Sequence, residues 1–229
     1  MPTALYRLIL SCLLLLPLAV FADDASDFAA ANNSAQAQLL ESWAAQPVPA
    51  RVELINSLQQ GQVTVDGQVK TLRLNNRLRG LIDTALASHQ LLASDPKLRL
   101  SAAQQLQKSA KPAQLHFLDR QLAGETDSDV HSALSLALAN LQLVDPDPAV
   151  RLAAVRLLGE TGEPLARTRL ENLLQPGAEA DAGVRTAAET SLVQVKRKLL
   201  IGDLLGQAFS GLSLGSILLL AALGLAITF

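Results

Sequence analysis

Few residues in this chain of 229 have the type and spacing that chemistry requires. His89, His116 and His131 stand apart, with no histidine, cysteine or carboxylate partner at metal-ligand spacing, and they read as surface or repeat-position residues. Ser210, Ser213 and Ser216 lie in an apolar run without a base, where hydrogen bonding between helices suits them better than nucleophilic catalysis. No G-x-x-x-x-G-K-[ST] phosphate loop occurs, which excludes nucleotide binding of the usual kind. These residues predict no catalytic, cofactor-binding or metal-ligating site, so the chain reads as a non-enzyme. What recurs instead is arginine. Arg99, Arg151 and Arg185 each stand four residues after an aspartate, as a repeat-stabilising pair with a neighbouring aspartate or helix C-terminus, or as a shared docking ridge.

The elements that carry these arginines share one phrase. Asp147-Pro148-Ala149-Val150-Arg151-Leu152-Ala153-Ala154 has relatives in Asp95-Pro96-Lys97-Leu98-Arg99 and Asp181-Ala182-Gly183-Val184-Arg185, and a fainter one in Asp127-Ser128-Asp129-Val130-His131. Aspartate caps a helix N-terminus, proline sits in the first turn where no amide donor is needed, and valine or leucine starts a buried stripe. Gly159 and Gly162 are expected to end the helix begun at Pro148. Steps between the Arg/His positions are about 32, 20 and 34 residues, and two of these fit a helix-pair repeat. The expected fold is all-α, a HEAT-like α-solenoid with one outer helix missing or merged. Leu78, Leu81, Ile82, Ala85, Leu86 and Leu92 recur at helical spacing over residues 76–92. Alternation around Asp66-Gly67 predicts a small β-hairpin at about residues 63–72.

The ends of the chain suggest an envelope protein. Residues 1–22 read as a signal peptide: Arg7 is the positive start, Leu8 to Val20 the apolar run, and Val20-Phe21-Ala22 the cleavage site. An uncleaved signal anchor is the alternative. Cleavage would remove Cys12, the single cysteine, and with it any disulfide or thiol site. Residues 23–200 then form an exported, periplasmic helical domain, and residues 201–229 a linker and first transmembrane helix. From Ala208 to Phe229 there is neither charge nor proline, and about 20 such residues cover a ~30 Å hydrocarbon core. Gly211 and Gly215 form a small-xxx-small step for membrane-helix packing. The far side of the span shows no flanking charge or aromatic belt, so the sequence reads as a fragment cut inside its first span. Lys196-Arg197-Lys198 precedes the span but reads as a solvated helix face, because a long preceding domain is translocated largely regardless of charge. A net charge of −2 and no basic cluster beyond three residues argue against nucleic acid.

The run from Ala208 to Phe229, with Gly211-Leu212, Gly215 and Leu220-Ala221-Ala222-Leu223-Gly224-Leu225, resembles the first membrane helix of the branched-chain amino-acid type ABC transporter permeases. With the leader, the hairpin, the helix in residues 72–86 and the DPxVR phrases ahead of it, the chain resembles the urea-transporter branch of that family. The resemblance implies a permease subunit in the bacterial inner membrane, importing urea or a short amide. It also implies ABC ATPase subunits, a second permease subunit and a periplasmic substrate-binding protein as partners, with no cofactor in this chain. Substrate-binding residues are not implied for any residue present. The alternative is a membrane-tethered periplasmic HEAT-repeat scaffold that binds another envelope protein.

Overall fold

The computed structural model describes residues 24–228; the leader read over residues 1–22 lies outside the described residues. The chain is mostly helical, with one two-stranded antiparallel sheet. Its order is α1 (described over residues 24–30), α2 (Asn33–Ala45), a 3-10 turn at Pro49–Arg51, α3 (Val52–Gln59), β1 (Gln62–Val65) and β2 (Gln68–Thr71). It continues with α4 (Asn76–Gln90), α5 (Pro96–Ser109), a 3-10 turn at Pro112–Gln114, α6 (Leu115–Gly124), α7 (Ser128–Gln142), α8 (Pro148–Glu160), α9 (Pro164–Leu173) and α10 (Ala182–Thr228). Where the sequence suggests one domain over residues 23–200, the contacts divide the chain into two compact units meeting at residues 141 and 142.

In the first unit, α1 to α4 close a core around Phe28, Leu40, Trp43, Ile55, Leu58, Leu78 and Ile82. Asn32 caps α2 by accepting from the Ser34 and Ala35 amides at 3.1 and 3.0 Å, and Asn75 caps α4 through the Leu78 amide at 2.8 Å. Each cap satisfies donors that a helix start leaves open, worth about 1 kcal/mol. The hairpin falls where alternation placed it. Asp66 and Gly67 both take positive φ, 52° and 74°, the conformation of a two-residue turn that matches strand twist. Val63 turns inward from β1 and is fully buried, so the ribbon closes over the helices rather than extending into solvent.

Side-chain-capped starts of this sort begin two different kinds of helix. In α5 and α8 the residue three after the capping aspartate is Leu98, 47% exposed, or Val150, half-buried. Burial there falls instead on Ala102, Ala103 and Leu106, and on Ala154, Val155 and Leu158. In α4, α7 and α10 the residue three after the cap is Leu78, Val130 or Val184, each at most 1% exposed. The two kinds alternate, which accounts for the uneven steps between the arginines. Asp95 to Asp147 and Asp127 to Asp181 are separated by about 52 and 54 residues, and each period holds three helices. Val150 therefore does not begin a buried stripe. Gly159 is corrected as well: α8 runs through it to Glu160 and is closed by Thr161.

Candidate functional site

The sequence pairs the recurring arginines with nearby aspartates or helix ends, but two of them hold glutamates 26 and 28 residues away. In the first unit Arg99 Nε and Nη2 donate to both carboxylate oxygens of Glu125 at 2.8 and 2.9 Å, while Nη1 donates to the Ala93 and Ser94 carbonyls at 3.0 Å each. Glu125 in turn accepts from the Thr126 and Asp127 amides. The second unit repeats this clasp. Arg151 Nε and Nη2 donate to Glu179 at 2.7 and 2.8 Å, Nη1 donates to the Asp145 and Pro146 carbonyls at 2.9 and 3.0 Å, and Glu179 accepts from the Asp181 amide. Each guanidinium thus ties the turn before one helix (α5 or α8) to the turn before another (α7 or α10). A bidentate pair with an almost buried carboxylate is far stronger than a surface ion pair. The Arg151 hydrogen bonds hold the Glu179 carboxyl down at about 2, and Arg99 does the same to Glu125 in direction. These two arginines are occupied, which leaves them little capacity for a docking ridge. Arg185 is exposed and makes no clasp among the described residues.

The apolar C-terminal segment is no separate element. The residues read as a linker, with Gly202 and Gly206, are helical: α10 runs unbroken from Ala182 to Thr228. Two glycines cost a helix only about 1 kcal/mol each. Its first part packs in the second unit through Val184, Ala188, Ser191 and Val195. Gly159 permits that approach: a Cβ there would lie 2.8 Å from Ser191 Oγ and 2.9 Å from Ser191 Cβ. Lys196 Nζ pairs with Glu171 at 3.1 Å, and Lys198 Nζ donates to the Glu160 carbonyl at the end of α8. Two members of the basic triplet are thus anchors for α10.

Beyond Leu199 the described side chains of α10 are exposed. Leu200, Leu204, Leu205, Phe209, Leu212 and Leu218 are all more than half exposed. Among the described residues α10 is the one helix long and apolar enough to cross a membrane. Gly211 and Gly215 have open space where a side chain would sit, so a neighbouring helix could come close there. Ser216 donates to the Leu212 carbonyl of its own helix at 2.7 Å, which satisfies its hydroxyl without a partner.

The histidines do not converge, and no group of metal-binding side chains is found among the described residues. His89, expected at the surface or a repeat position, is 1% exposed in α4. Its Nδ1 donates to the Ala85 carbonyl at 2.7 Å, and its Nε2 has no partner. Burial lowers its pKa and holds it neutral. Glu125 and Glu179 were missed in the sequence. The signal that could have found them is the pair of phrases Glu125-Thr126-Asp127 and Glu179-Ala180-Asp181, each with glutamate two residues before a capping aspartate. No family model matches the chain, and no curated protein does.

Proposed function

We propose that this chain is the N-terminal part of a permease subunit of an ATP-driven importer of urea or a short amide. Its helical domain lies on the periplasmic side of a bacterial inner membrane, as a HEAT-like solenoid of three-helix repeats. ABC ATPase subunits, a second permease subunit and a periplasmic binding protein complete the transporter. The observation that carries this reading is α10, which joins the helical domain to an apolar segment, exposed over its described residues, without a break. The Gly211 and Gly215 pattern of that segment resembles the first helix of such permeases. The repeated clasps, in the same position of successive helix triplets, support the solenoid. The second unit, carried on a continuous helix, keeps its orientation to that helix and can meet a delivering protein there. The domain therefore serves docking or assembly, and the translocation path is built by other helices.

Disruption of the gene in its host tests the reading through uptake of radiolabelled urea at low external concentration. The proposal expects loss of saturable uptake, restored by the gene in trans and not by a copy whose partner ATPase is inactive. Undiminished uptake in the disrupted strain would favour the tethered scaffold instead.

A further inference from the structure

The first unit contains a cleft of about 660 Å3 beside the Pro49–Arg51 turn, lined on one part by Gln46, Arg51, Arg120 and Gln121 and on another by apolar groups that include Val48 and Phe117. The arginines here differ from the clasped pair. Arg51 uses Nε to hold Asp24 at 2.6 Å and lies over the Trp43 ring, 5.6 Å from its centroid. Its Nη1 reaches only the Gln46 carbonyl, at 3.5 Å, and its Nη2 has no partner among the described residues. Arg120 is exposed and pairs with no carboxylate among the described residues. No acidic side chain lines the cleft. Such a lining favours an anion: Arg120 is unpaired among the described residues, Arg51 keeps donors beyond its bond to Asp24, and no carboxylate lines the cleft. Two guanidiniums with spare donors suit a planar carboxylate, the glutamine amides extend the polar part, and the apolar wall takes a hydrocarbon body.

We propose that this cleft binds a carboxylate joined to an apolar body. Arg120 and Arg51 hold the carboxylate and the Val48–Phe117 wall holds the body. The same chemistry comes from an acidic side chain in a segment of a partner protein or from a free aliphatic carboxylate. Trp43, the single tryptophan, reports on the site from beneath Arg51.

The test uses the full chain in lipid nanodiscs, titrated with acetyl-Leu-Glu-Leu-amide and with hexanoate. Binding is followed by Trp43 emission and by saturation-transfer NMR on the probes themselves. The glutamine peptide and hexanol are the neutral controls. Expected is saturable binding of at least one carboxylate probe, weakened at least about tenfold by Arg120→Gln and partly retained by Arg120→Lys, with the unfolding temperature unchanged. Tighter binding of the peptide assigns the site to a protein segment, and tighter binding of hexanoate to a free carboxylate. Neither probe binding below roughly 10 mM, equal binding of the neutral controls, or an unaffected Arg120→Gln variant would each overturn the proposal.

Discussion

Replacing Gly159 by alanine sets two physical effects of opposite sign against each other. In an isolated helix the change is favourable by about 1 kcal/mol, because glycine surrenders more backbone freedom than alanine. In α8 the new methyl would sit 2.9 Å from Ser191 Cβ and 2.8 Å from its Oγ, against the 3.5–4.0 Å of ordinary carbon contacts. A rotamer change can move the hydroxyl but not the Cβ, which is fixed to the α10 backbone. The two helices must therefore separate by about 1 Å, loosening the packing of Val155 and Leu158, both fully buried. Overpacking of this kind costs about 1–3 kcal/mol, so Gly159→Ala should destabilise the second unit by up to about 2 kcal/mol net of the helix gain. Ser191→Gly removes the obstructing atoms, and the double variant should recover at least about 1 kcal/mol beyond additivity. Amide hydrogen exchange in α8 and in the packed part of α10, measured on the intact chain, gives these opening free energies. A Gly159→Ala chain with slower exchange than the parent would show that helix propensity wins and that the close approach is not a real constraint.

The Glu179 clasp should make stability depend on pH in a defined direction. Its pKa falls from 4.5 to about 2 on folding, so its contribution is complete above about pH 4.5 and fades as pH drops toward 2; with partial exposure of Arg151 screening the pair, we expect about 1–2 kcal/mol. Melting by circular dichroism should show Glu179→Gln less stable than the parent at pH 7 and indistinguishable from it near pH 2, whereas a constant difference would mean the charge is irrelevant. Val184→Asp should cost more than about 2 kcal/mol, because Val184 is 1% exposed and an unpaired carboxylate would be buried there; Val150→Asp, at a half-buried site, should cost clearly less, and equal losses in melting temperature would refute the two-kind assignment of helices. An alkaline phosphatase fusion after Gln194 should be active and a green fluorescent protein fusion at the same point dark, and the reverse pattern would place the domain in the cytoplasm.

Local chemistry was legible in the sequence wherever it acts within a few residues. Asp95, Asp127, Asp147 and Asp181 all cap helices, because a cap needs only its own first turn. Asp66-Gly67 makes its turn for the same reason, and the uncharged run after Ala208 is a property of composition. The clasps were not legible, since Glu125 and Glu179 meet their arginines only after two intervening helices have folded. The alternation of two helix kinds was hidden too: the capping phrase sets where a helix starts, while tertiary packing sets which of its faces turns inward. For Gly159 the same glycine fits a helix end or a close crossing, and only the position of Ser191 separates the two. Of the candidate site, Gly211 and Gly215 could be placed on one helix from sequence, and Gly202 and Gly206 could be expected to interrupt it only weakly, because two glycines cost a long helix little.

The transport reading meets its most direct test in proteoliposomes. These should hold the intact subunit with its second permease subunit and ATPases, and receive the binding protein and radiolabelled urea on the side of the helical domain. The account predicts accumulation of urea that requires both ATP hydrolysis and the binding protein. Assembly of the complex with ATP hydrolysis but no urea accumulation, or accumulation of a different solute alone, would contradict it.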